Sequence, residues 1–238
     1  EYRPLQYGDI VILLRSASGW AETFGEVLSA RGIPVYTASR TGYFSATEVV
    51  TLLNYLRILD NPLQDIPLMG VLRSPIVGCT SQELAELRIQ YPDGLLYESV
   101  SAYAGENEIP EKELDPDKLK SKLLNSNLRT DEKNSLNIKL KGFLSLLEKV
   151  RNMAAYTPVH ELILYVLKET GYGDYARALP GGEQRFANLT MLVEKAMGYE
   201  KTSYRGLFNF VRYIEQLQAY QVDYGEVNLT GAGNTAVE

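Results

Sequence analysis

From residue 66 to about residue 221, apolar side chains recur at three- and four-residue intervals, the spacing that lines one face of an α-helix. A chain written this way over most of its length can bury those stripes only by packing helix on helix. The spacing predicts a short helix over 66–72, broken at Ser74-Pro75. Thr80-Ser-Gln-Glu83 is a capping box, in which the Thr hydroxyl and the Glu carboxylate satisfy the first free amides of a helix running to about Gln90. Longer amphipathic helices are expected at about 133–153, 159–170, 183–200 and 204–221. Residues 91–117 are rich in Pro, Gly, Asp and Glu and are read as at least partly loop, and 226–238 as a linker.

The opening stretch has a different pattern. Asp9-Ile-Val-Ile-Leu-Leu14 is a continuous β-branched run, expected as a strand buried on both faces. A helix over 20–30 follows, with Trp20, Phe24, Val27 and Leu28 on one side and Gly32 as its terminator. Ile33-Pro-Val-Tyr-Thr37 is expected as a second strand, and the connection is long enough for a parallel βαβ unit. Ser45-Ala-Thr-Glu48 reads as another capping box. Behind it Val49, Leu52, Leu53, Leu56 and Leu59 keep helical spacing until Asn61-Pro62 ends the helix near Asp60.

Composition narrows the chemistry. With 45% hydrophobic and 23% charged residues in 238, the chain is neither disordered nor collagen-like. No apolar run approaches the roughly 20 residues that span a bilayer, so no membrane partner is expected. One cysteine, Cys79, cannot form an internal disulfide, and one histidine, His160, cannot build a histidine-rich metal site, so no metal is expected and a reduced, cytoplasmic setting fits. Cys79 is read as an inert small residue beside a helix start, and His160 as a surface or capping residue. There is no Gly-x-x-x-x-Gly-Lys-Ser/Thr phosphate loop and no Gly-x-Ser-x-Gly elbow. The carboxylates Glu111, Glu113, Asp115 and Asp117 lie in turn-forming sequence without a distinguishing spacing. By itself the chain is read as noncatalytic. Because it opens on Glu1 with no signal peptide, it is read as a piece of a longer protein.

Two charged features stand out. Nine Lys and Arg face only three acids between Lys118 and Arg151, a local charge of +6 in a chain of −6. Such a stretch suits either a solvated helix face or a phosphate backbone, with Lys118, Lys120 and Lys122 at its start. Arg15 falls at the end of the first predicted strand, where ligands approach α/β sheets. A guanidinium there can clamp a phosphate, or it can pair with a nearby acid; the residues alone leave both open.

The run Asp9-Ile-Val-Ile-Leu-Leu-Arg-Ser16, followed by Gly32-Ile-Pro-Val-Tyr36, Tyr43-Phe44, Glu48 and Tyr55-Leu-Arg-Ile-Leu-Asp-Asn-Pro62, resembles the UvrD/PcrA/Rep group of superfamily 1 DNA helicases. Val71-Leu-Arg-Ser-Pro-Ile76, Glu169-Thr-Gly-Tyr172, Leu179-Pro-Gly-Gly-Glu-Gln-Arg185 and Ser203-Tyr-Arg-Gly-Leu-Phe208 resemble its AddA-type helicase–nuclease branch. The resemblance implies a mainly α chain with a small, incomplete RecA-like α/β (βαβα) part. Residues 1–60 would begin the second motor domain (2A), 61–226 would form its helical insertion (2B), and 227–238 a truncated linker. Arg15 matches the motif IV arginine that reaches the γ-phosphate of ATP, so ATP and Mg2+ are implied for the parent protein, with none held by this chain alone. Gly78-Cys-Thr80 stands where the family has a Gly-Ile-Gly element that meets duplex backbone through helix-start amides; its second glycine is absent here. Arg185 and Arg205 could contact DNA or brace helices. The implied partners are a duplex/single-strand DNA junction, the remaining domains of the parent and a second subunit of AddB type. The implied role is 3′-to-5′ movement in double-strand-break repair. Rival readings are a UvrD-like repair helicase without a nuclease, a stand-alone helical interaction module, and a small hydrolase built on the scattered carboxylates.

Overall fold

Every regular element among the described residues is helical. The computed structural model describes residues 3–13, 20–33, 35, 42–105, 130–202 and 205–220. The α-helices are α1 Trp20–Ala30, α2 Thr47–Asp60, α3 Asp65–Arg73, α4 Ser81–Gln90, α5 Leu96–Ala104, α6 Thr130–Ala154, α7 Val159–Thr170, α8 Tyr172–Ala178, α9 Gly182–Glu200 and α10 Leu207–Ala219. Two 3-10 turns, Tyr7–Asp9 and Tyr43–Ser45, precede α1 and α2. The mainly helical expectation is met.

The small βαβα part is not shown. Residues 10–13, expected within a buried strand, form no strand, and their side chains are exposed, Leu13 by 90%. An apolar run becomes a buried strand only where neighbours accept its amides and cover both faces; no ladder partner for it lies among the described residues. Val35 makes a single β-bridge. The rest of the two expected strands, at 14, 34 and 36–37, lies outside the described residues. Helix α1, expected between them, is present, and its Trp20 and Val27 are exposed.

The chain divides into two compact units. One comprises Glu1–Val50, Gly173–Lys195 and Tyr213–Glu238, the other Thr51–Tyr172 and Ala196–Arg212. In the second unit, α5 packs on α3, α4 and α6, and α6 packs on α7. Leu96, Val100 and Ala104 of α5 lie at four-residue spacing and are fully or almost fully buried, as are Leu136 and Leu140 of α6 and Leu162, Ile163 and Val166 of α7. Asp65 ties these elements by accepting from the Leu96 amide at 2.9 Å and pairing with Arg88 at 3.4 Å.

The turn between α3 and α4 is held by its own polar groups. The Ser74 hydroxyl donates to the Val71 carbonyl at 2.7 Å, the Cys79 amide to Leu72 at 2.9 Å, and the Arg73 guanidinium to the Cys79 carbonyl at 3.1 Å. Gly78 sits there at φ 73, a left-handed conformation that glycine adopts without steric cost. Cys79 is fully buried, and burial pushes its thiol up to about 11, so it is an unreactive packing group at neutral pH.

Candidate nucleic-acid interface

The start of α4 is built from the capping box expected there. The Glu83 amide donates to the Thr80 hydroxyl at 3.1 Å, and the Thr80 amide donates to the Glu83 carboxylate at 2.6 Å. Lys139 of α6 then reaches both Glu83 oxygens, at 2.9 and 3.0 Å, and the Gly78 carbonyl at 3.0 Å. Burial pushes the Glu83 carboxyl up, but the Thr80 amide and the Lys139 ammonium outweigh it and hold the group below its ordinary value. The Thr80 amide and the Gly78 carbonyl are therefore committed to partners within this unit.

Arg185 stands in the other unit, in a polar cluster around Glu48. Its Nη1 lies 2.9 Å from Glu48 Oε2, and its Nε donates to the Pro180 carbonyl at 3.2 Å. Asn188 Nδ2 donates to Glu48 Oε1 at 2.7 Å, and the Tyr43 hydroxyl donates to the Asn188 carbonyl at 3.0 Å. Glu48 is 4% exposed, so the cluster supplies charge and hydrogen bonds to a carboxylate that water does not reach. The Ser45–Glu48 capping box expected from sequence does not form. The Ser45 hydroxyl donates to the Gly42 carbonyl instead, and Glu48 is taken by Arg185 and Asn188. In this geometry Arg185 braces helices.

Arg205 has a different environment. It stands in the short connection from α9 to α10, whose helices meet through an edge-on Tyr199–Phe210 ring contact at 5.6 Å. At the end of α9, the Lys201 amide donates to Gly198 and the Thr202 hydroxyl donates to Tyr199, closing the helix. Gly206, at φ 92, turns the chain into α10, and the Asn209 side chain donates to the Arg205 carbonyl at 2.8 Å. The Arg205 side chain is exposed and has no partner among the described residues. Phe208 is 52% exposed, and the Arg212 guanidinium lies 5.5 Å from its ring centre. Lys201 and Arg212 are exposed as well. Glu200, the acid beside Lys201, is turned away: its carboxylate accepts from the Val159 amide at the start of α7 and meets His160 Nδ1. His160 is thus half-buried against the residue that caps its helix rather than a surface group. Sequence reading singles out Arg205 alone and misses Lys201, Phe208 and Arg212. The available signal is an aromatic residue four positions before an arginine at a helix start.

The basic stretch is only partly described. Lys141, Lys149 and Arg151 are exposed along α6, interrupted by Glu148, and Lys139 is spent on Glu83. A groove of about 430 Å3 beside α5 and α6 is lined by Tyr97, Leu144, Leu147, Glu148, Arg151 and Asn152. Lys118, Lys120, Lys122 and Arg15 lie outside the described residues. Among the described residues no group of three or more His, Cys, Asp or Glu could hold a metal ion, and no helix is long and apolar enough to cross a membrane.

The helical scaffold and this distribution of charge belong with a sequence match that spans nearly the whole chain. The chain is a member of the UvrD-like helicase C-terminal domain family, which it matches over residues 3–228. Along its whole length it is 43% identical, over 259 aligned residues, to an ATP-dependent helicase/nuclease subunit of Lachnoclostridium phytofermentans, of which it covers 19%. It is 40% identical over 244 residues to the protein of that name from Clostridium botulinum, again covering 19%, and 39% identical over 237 residues to that of Thermoanaerobacter sp., covering 17%. The chain therefore spans less than a fifth of the length of these curated relatives.

Proposed function

We propose that the chain is a noncatalytic segment of an AddA-type, ATP-dependent DNA helicase–nuclease acting in double-strand-break repair. The observation that carries this reading is the similarity of the entire chain to proteins named as ATP-dependent helicase/nuclease subunits. In the parent protein, the segment's first part would supply Arg15 to the nucleotide cleft. A guanidinium there offsets charge developing on the transferred phosphoryl group of Mg2+-bound ATP, as arginine fingers do. The helices that follow would meet the DNA junction and a second subunit of AddB type. Proposed movement is 3′-to-5′ along one strand.

Strand displacement by the full-length protein tests this. With ATP and Mg2+, unwinding of a duplex bearing a 3′ single-stranded tail is expected, with far less of the same duplex carrying a 5′ tail. Equal or reversed preference, or no ATP dependence, would contradict the reading.

A further inference from the structure

We infer that the adjoining ends of α9 and α10 form a single-stranded DNA contact, in which Phe208 stacks on an unpaired base while Lys201, Arg205 and Arg212 hold the flanking phosphates. The inference rests on the helicase reading and assigns its DNA contact to one place. Four observations carry it. Three cationic side chains, Lys201, Arg205 and Arg212, are exposed within twelve residues, and none has a carboxylate partner among the described residues. The acid beside Lys201, Glu200, is withdrawn into the unit to cap α7 and pair with His160, so it does not neutralise Lys201. An aromatic ring, Phe208, is left 52% exposed among these cations, although its neighbours Leu207 and Phe210 are buried. The Arg212 guanidinium lies 5.5 Å from that ring, where it can follow a base stacked on the face. The helix ends that present them are tied by the Tyr199–Phe210 contact, the Thr202 hydroxyl and the Asn209 side chain.

A solvated ring beside cations without a carboxylate partner is the pattern that binds single strands with little sequence preference, since every base has a face to stack and every nucleotide a phosphate. A duplex hides its base faces and would use the cations but leave Phe208 idle. An acidic protein would likewise use charge alone. Arg185 makes the contrast within one chain: also a candidate from sequence, it has its guanidinium on Glu48 and Pro180.

Fluorescence anisotropy of the full 238-residue chain with labelled oligo-dT, the matching duplex and polyglutamate tests the assignment. Phe208→Ala should weaken oligo-dT binding about 5-fold or more, with Phe208→Trp restoring it and duplex binding changed little. Joint Lys201→Gln, Arg205→Gln and Arg212→Gln substitution should weaken it further and reduce the slope of log affinity against log salt by about 2. Circular dichroism should show these exposed-site variants folded like the wild type. Binding indifferent to all four substitutions, or lost instead on joint Lys141→Gln, Lys149→Gln and Arg151→Gln substitution, would overturn the assignment. So would equal loss for polyglutamate and oligo-dT with no effect of Phe208→Ala, which would mark an acidic protein surface. The polarity of unwinding by the full-length protein is read separately, so a wild-type chain that binds no DNA overturns this surface and leaves the helicase reading standing.

Discussion

Arg185 and Arg205 carry the same charge, and their surroundings differ: one is paired and the other exposed. Arg185 neutralises Glu48, a carboxylate that is 4% exposed and also held by Asn188. Removing the guanidinium leaves that carboxylate short of a partner. Because the Arg185 side chain is itself partly exposed, Arg185→Ala is expected to lower stability by about 1–3 kcal/mol, read from urea unfolding, with affinity for oligo-dT unchanged. Arg205→Ala should do the reverse, weakening DNA binding with stability held within about 0.5 kcal/mol. Glu83 offers a pH test at the same scale. Its carboxyl is held below the ordinary value in the folded chain, so its contribution is present above the unfolded value near 4.5 and is lost as pH falls through the folded one. Lys139→Gln removes one of the groups that lower it. Acid unfolding of that variant, followed by circular dichroism, should therefore begin at higher pH than in the wild type; an unchanged acid limb would refute the pairing.

At the level of elements, sequence reads well wherever a helix carries its own start or stop. The Thr80–Glu83 box opens α4, Asn61-Pro62 closes α2, and the long stripes of α6, α7, α9 and α10 each bury their apolar face. Helix α5 is submerged in an expected loop because Pro92-Asp-Gly94 and Gly105 bracket only nine helical residues. Yet it packs on three other helices, which no local pattern records. Leu96→Ala should accordingly cost about 2–5 kcal/mol, as for a fully buried leucine, measured by urea unfolding of the whole chain. Helix α8 escapes the sequence reading for the same reason, being seven residues long with Gly173 inside it. The Ser45–Glu48 box misleads because a distant arginine and asparagine take the carboxylate that the local motif assigns to an amide. In the candidate site, Arg205 is legible as a charged residue in a resembling block, whereas the exposure of Phe208 and the withdrawal of Glu200 are products of tertiary packing.

For the molecule as a whole, family membership and a mainly helical scaffold agree with what the periodicity and the quoted blocks imply. The proposed division of labour puts nucleotide contact at Arg15 and DNA contact among the helices. Its central claim is that a chain without a phosphate loop of its own completes another domain's ATP site with one guanidinium. DNA-stimulated ATP hydrolysis by the full-length protein carrying Arg15→Ala measures this directly. A fall of about 1,000-fold or more, with the circular dichroism and unfolding midpoint of the wild type preserved, is the predicted result; turnover close to the wild type would contradict it.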